Sequence, residues 1–172
     1  MKAVTVIILF LFLSSCFLIA QEGYTASPDQ TVQRLYNLVT FEAGFTPDWD
    51  EVRSLFIDEA VVVLRTSRDS STVFDLEGFV DDFINFIEHP QVKSSGFSET
   101  ILNMKTLEFR DMASVLVLYE AHITDSERPP QKGVDNFSLI KKNDQWKIVS
   151  VTNDLPNPEN PVPGVLMEQT AR

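Results

Sequence analysis

The chain has 172 residues, with 14 basic against 25 acidic side chains and a formal net charge of −11. That length supports one domain with its own core, and an acidic excess of this size repels phosphate backbones and argues against nucleic acid as a partner. Cys16 is the only cysteine, which excludes an internal disulfide and a thiolate metal cluster.

The chain opens with Met1-Lys2, continues as an apolar run to Ala20, and turns polar at Gln21-Glu22-Gly23. A basic start, an apolar stretch and a small residue make residues 1–20 a secretory signal peptide cleaved after Ala20. The run also approaches the roughly 20 residues that span a bilayer, so a retained anchor is the alternative. Leu13-Ser14-Ser15-Cys16 resembles the bacterial lipoprotein signal, although apolar Phe17-Leu18-Ile19 follow where a polar tether is expected. The mature chain is therefore expected to be exported, periplasmic or secreted, with lipid anchorage at Cys16 as the alternative. Membrane contact is expected only through that lipid or a retained signal.

Residues 21–27 form a short lead. Ser27, Pro28 and Gln30 combine an N-cap serine, proline at the first helical position and a capping-box glutamine. They start a helix over 28–42, with Val32, Leu35, Tyr36 and Val39 on one face and Gly44 as its stop. Thr46-Pro47-Asp48 repeats the start signal for a short helix carrying Trp49, Val52, Leu55 and Phe56. Residues 60–66 are β-branched and read as a strand, and 67–72 as a loop. Asp75 caps a third helix in which Leu76, Phe79, Val80, Phe83, Ile84 and Ile87 share a face until His89-Pro90.

From Gly96 the period becomes two, giving long strands over 97–110 and 113–125, then a loop with Pro129-Pro130. The last hairpin is the clearest element, two alternating runs either side of a turn centred on Asn143-Asp144. Simple antiparallel register sets Leu139 opposite Ile148, Phe137 opposite Ser150 and Asn136 opposite Val151. One face then holds Phe137, Leu139, Trp146 and Ile148; the other mixes Ile140, Val149 and Val151 with Asn136, Ser138 and Asn153. The mixed face is the expected ligand side. Residues 155–172, with Pro156, Pro158, Pro161 and Pro163, form an extended tail.

Helix, helix, strand, helix and four antiparallel strands make an α+β domain over 28–154 with its helices on one side of a curved, mostly antiparallel sheet. This order, with Phe56-Ile57-Asp58-Glu59-Ala60-Val61 and the corner Asn143-Asp144-Gln145-Trp146-Lys147-Ile148, resembles the NTF2-like superfamily and within it SnoaL-like and ketosteroid-isomerase-like proteins. The resemblance implies a cone-shaped domain with an apolar pocket between sheet and helices, dimerised through the outer sheet face. It also implies where an isomerase would carry its groups. The aspartate base falls on Leu64, the oxyanion acid on Asn136, and the helix-one tyrosine on Leu35, beside Tyr36. Without a base at Leu64, isomerase chemistry would lose the general-base contribution of about 10²- to 10⁴-fold.

The expected function is binding of a small apolar or amphipathic molecule, with contacts from Tyr36, Trp49, Tyr119, Asn136, Ser138 and Asn153 and no cofactor or metal. One alternative is a cofactor-free dehydratase or isomerase using His122 as base, held by Glu120 on the same strand face. Another is a non-catalytic homodimer whose cone is filled by its own phenylalanines, of which the chain has 13. The pairs Asp58-Glu59 and Asp81-Asp82 make poor metal ligands because adjacent side chains diverge. Asn136-Phe137-Ser138 spells a glycosylation sequon, placed on a strand centre where access is poor.

Overall fold

The computed structural model describes residues 26–168; residues 1–20 and Cys16, on which the export and lipidation expectations rest, lie outside the described residues. The elements in order are α1 (Pro28–Val39), β1 (Phe41–Glu42), α2 (Trp49–Ser54), β2 (Phe56–Ser67), β3 (Ser70–Asp75), α3 (Leu76–Ile87), α4 (Pro90–Ser95), β4 (Gly96–Phe109), β5 (Met112–Ile123), β6 (Gln131–Lys142), β7 (Gln145–Asp154) and α5 (Gly164–Met167). The strands form one sheet in the order β1-β4-β5-β6-β7-β2-β3. All neighbours are antiparallel except β2 and β7, so this is an α+β domain built on a curved, mixed sheet.

The helix starts follow the expected caps. Ser27 Oγ accepts the Gln30 N–H at 3.2 Å, while Gln30 reaches back to the N–H of Ala26 rather than of Ser27. Asp48 and Asp75 cap α2 and α3 in the same way. The first helix ends at Val39, earlier than the sequence suggests, because Phe41 and Glu42 leave to pair with Phe97 and Gly96 at the sheet edge. The polar stretch after β2 holds a strand, β3, which hairpins back on β2 through Arg68-Asp69. Its residues pair but cover little, so no apolar alternation announced them.

Helices α1 and α3 pack on one face of the sheet. Between them and the sheet lies the main core, with Val32, Tyr36, Val52, Val62, Val80, Val115, Val117, Phe137, Leu139, Trp146 and Ile148 buried. On the opposite face α5 packs across β4 and β5. There Asn103 Nδ2 donates to the Leu166 carbonyl at 2.8 Å, and Leu166 is buried.

Two β-bulges decide which residues look inward. The turn at Asn143-Asp144 has both φ values positive, 52° and 61°, as a two-residue hairpin turn requires. Beyond it Leu139 does pair with Ile148, but Ser138 pairs with Ser150, leaving Val149 as an extra residue in β7. The simple register therefore fails past that point. Phe137 faces Val151, Asn136 faces Thr152, and Asp135 faces Asn153. A second bulge leaves Leu102 unpaired in β4 between Ile101 and Asn103.

The inward face of the hairpin is the one carrying Phe137, Leu139, Trp146 and Ile148, contrary to the expectation that Asn136 and Ser138 look inward. Trp146 is 2% exposed within the core. The reason is area: that face is the more apolar of the two, and burying it against helices removes more hydrocarbon from water.

Candidate functional site

A half-open cavity of about 290 Å³ lies between the sheet and the helices, just under the roughly 300 Å³ at which small-molecule pockets usually begin. Its apolar lining is Leu35 of α1, Val62 and Leu64 of β2, Phe79, Phe83 and Phe86 of α3, Phe137 of β6 and Val151 of β7. Its polar lining is Tyr36, Asp82, Glu99, Tyr119, Asp135 and Asn153.

Five of these polar groups come from five elements, and local structure explains each position. Tyr36 sits on the apolar stripe of α1, one residue from Leu35. Asp135 lies two residues before Phe137 on the inward side of β6, directly opposite Asn153. Asn153 itself is brought inward by the Val149 bulge. Glu99 pairs with Ala121 on β4 and is held at the cavity by Thr40, whose hydroxyl accepts the Glu99 N–H at 2.9 Å just past the end of α1. Without the Leu102 bulge, alternation from the inward Met104 would turn Glu99 outward. Tyr119 lies directly across from Gly133, and a Cβ at Gly133 would come within 2.3 Å of the tyrosine ring. Glycine there leaves room for the ring to lie over β6.

Four of the polar groups form one network. The Tyr36 hydroxyl donates to Asp135 Oδ2 at 2.5 Å, and Asn153 Nδ2 donates to Asp135 Oδ1 at 2.7 Å and to the Tyr119 oxygen at 2.8 Å. Burial pushes the Asp135 carboxyl up to about 6, while the bonds from Tyr36 and Asn153 hold it from rising further. Burial, with the charge of Asp135 beside it, pushes the Tyr36 and Tyr119 phenols well above their ordinary range. Glu99 is half-buried, with its side chain at the cavity. Desolvation, then the Asp135 charge, pushes it up to about 8. At neutral pH the cavity thus holds an ionised Asp135 and a protonated Glu99.

Of the residues expected to contact a ligand, Tyr36, Tyr119 and Asn153 line this cavity. Trp49 stands behind it, edge-on to Phe83 with centroids 5.7 Å apart. Asn136 and Ser138 do not reach it. They lie on the outer sheet face, where Ser114 donates to Asn136 Oδ1 at 3.1 Å. His122 lies on that outer face too, since Tyr119, Ala121 and Ile123 point inward along β5, and its Nε2 is 3.2 Å from the Arg128 carbonyl. The resemblance-based positions shift by one residue in two places. Asp135, not Asn136, is the acid facing the cavity, and Tyr36, not Leu35, is the helix-one group beside it; Leu64 does line the cavity.

Asp135 and Glu99 were missed, as were the three α3 phenylalanines as lining residues. A signal for Asp135 was present: it is a lone acid in register with Phe137 and Leu139 on the hairpin's most apolar face. Among the described residues no group of three or more His, Cys, Asp or Glu is arranged to hold a metal ion.

No family model and no curated protein matches the sequence. Solved structures do. An NTF2-like protein of unknown function from Pseudomonas putida superposes with a TM-score of 0.60 at 11% identity, covering 74% of this chain and 83% of its own. An NTF2-like protein with a cystatin-like fold from Novosphingobium aromaticivorans gives 0.60 at 10% identity, covering 81% and 86%. A protein from the same organism, provisionally described as a scytalone dehydratase, gives 0.57 at 14% identity, covering 75% and 81%. Likeness at this level of identity speaks for the backbone alone, and the backbone is unambiguous: this chain has the NTF2-like fold.

Proposed function

We propose that the chain is a small-molecule binding protein whose ligand occupies the cavity between the sheet and α1 and α3. The observation that carries this reading is the cavity itself, about 290 Å³, apolar on most sides and with five polar groups from five elements converging on it. The phenylalanines that line it, Phe79, Phe83, Phe86 and Phe137, leave that volume open. Binding is favoured over isomerase-like catalysis because the base position is the aliphatic Leu64 and because His122 faces away from the cavity. Native mass spectrometry of protein purified from its own source tests this. A discrete added mass that disappears when Val151→Trp fills the cavity is expected; bare protein, with an unchanged spectrum for the variant, would overturn it.

The same reading includes export, supported by the basic, apolar and small-residue pattern of residues 1–20. Amino-terminal sequencing of the mature protein should begin at Gln21. It also includes a homodimer through the outer sheet face. The support is an apolar patch in which Leu107, Phe109 and Met112 are 79%, 66% and 56% exposed beside a cleft of about 410 Å³. Sedimentation should report a dimer that Phe109→Glu converts to monomer.

A further inference from the structure

The cavity's charge pattern narrows what it can hold. Three carboxyls line it, Glu99 and Asp135 within and the exposed Asp82 on α3, and no Lys, Arg or His does. An enclosed carboxylate without a cation is costly, and proteins ordinarily pair such groups. Asp135 has two hydrogen-bond donors but no counter-charge. The Glu99 side chain lines the cavity, and its hydrogen bonds among the described residues run through its backbone, to Thr40. It is an acid on a space walled largely by aromatic rings. Tyr36, Tyr119, Phe79 and Phe83 all line it, so aromatic rings border the space a cation would enter.

On the reading that this cavity binds a small molecule, we infer that the ligand is an organic cation, an ammonium group on a small apolar or aromatic body, seated between the Glu99 and Asp135 carboxyls. The ammonium supplies the missing counter-charge, and its hydrogens can reach the Glu99 carboxylate and the second lone pairs of Asp135. The body occupies the apolar lining of Val62, Leu64, Phe83 and Val151. An anionic ligand meets repulsion from all three carboxyls. A neutral alcohol finds only the Tyr119 hydroxyl and a protonated Glu99 to bond, and leaves Asp135 without a counter-charge.

Cation binding is coupled to pH, because an incoming positive charge expels the proton that Glu99 carries below about pH 8. The groups facing Glu99 and Asp135 are Tyr36 from α1, Asp82 from α3, Tyr119 from β5 and Asn153 from β7. The two phenols stay protonated throughout and Asp82 stays exposed, so Glu99 and, lower down, Asp135 set the dependence.

The test is a calorimetric titration with 2-phenylethylamine and its neutral counterpart 2-phenylethanol, at about pH 6 and about pH 8, on the protein and on Glu99→Gln. Expected is preference for the amine, with affinity rising about fiftyfold between the two pH values as Glu99 gives up its proton on binding. Glu99→Gln should remove that rise, with an unchanged circular-dichroism spectrum showing that the variant is folded. Alcohol binding as tightly as the amine overturns the cation inference while leaving the binding reading intact. Failure of both ligands in the parent protein overturns the cation inference and the cavity reading with it. If Glu99→Gln does not fold, Asp135→Asn replaces it, and amine affinity undiminished in that variant overturns the inference.

Discussion

The two faces of the β6-β7 hairpin differ by one residue of register, and they have opposite characters. The inward face reads Asp135, Phe137, Leu139, Trp146, Ile148, Val151 and Asn153, aromatic and aliphatic with one acid and one amide at its end. The outward face reads Asn136, Ser138, Ile140 and Val149, polar and apolar side by side and half-exposed. The mixed composition looked like a ligand surface, yet the cavity is lined by the apolar face. The cavity here is a mostly apolar wall with a few polar groups. A face with polar and apolar residues intermixed along its length suits partial exposure.

This contrast can be broken most forcefully at Phe137. Phe137→Ala removes a buried ring from the inward face and should cost about 3–5 kcal/mol in chemical denaturation. If it cost no more than a surface substitution, the assigned inward face would be wrong.

The next largest effect concerns the acids and has a definite sign. Both carboxyls titrate higher in the folded chain than their ordinary 4.5 and 3.8, at about 8 for Glu99 and about 6 for Asp135. Below about pH 4 both are protonated whether folded or not, and the stability they contribute is complete. As pH rises the unfolded chain ionises first, so that stability is lost through about 6 for Asp135 and through about 8 for Glu99. Glu99→Gln should therefore stabilise the protein by about 4 kcal/mol near pH 8 and change little near pH 4, read from denaturation midpoints across pH. A uniform effect across pH would contradict the enclosed position of this carboxyl.

A smaller effect is expected at Gly133. Gly133→Ala forces the Tyr119 ring aside and should cost about 1–3 kcal/mol, with a change in the Tyr119 ring resonances as the Asn153 bond is lost. Smallest is the outward face. Asn136→Ala should change stability by no more than about 0.5 kcal/mol, as for other surface sites.

Much of the fold was legible because local chemistry and packing agree. Ser27, Asp48 and Asp75 cap helices where the sequence places caps, and Asn143-Asp144 adopt the positive φ that makes a tight hairpin. The resemblance to the NTF2-like superfamily rested on that same order of elements. The site was half legible. Tyr36, Tyr119 and Asn153 reach the cavity; Asn136, Ser138 and Trp49 do not. The Val149 bulge separates Asn153 from Asn136 and Ser138, and the Leu102 bulge turns Glu99 inward. Since side chains alternate with a period of two, one inserted residue exchanges the faces of everything beyond it. Strand β3 was missed for a different reason, as its Ser70-Ser71-Thr72 start lacks the apolar alternation that marks a strand.

The central claim, that the inward face and not the outward one binds, is most directly tested by the two hairpin asparagines that the register separates. In an amide NMR titration with 2-phenylethylamine, the side-chain amide of Asn153, bonded to Asp135 and Tyr119 at the cavity, should shift with saturation while that of Asn136, on the outer face, stays still. A saturable shift at Asn136 with Asn153 unmoved would contradict the account.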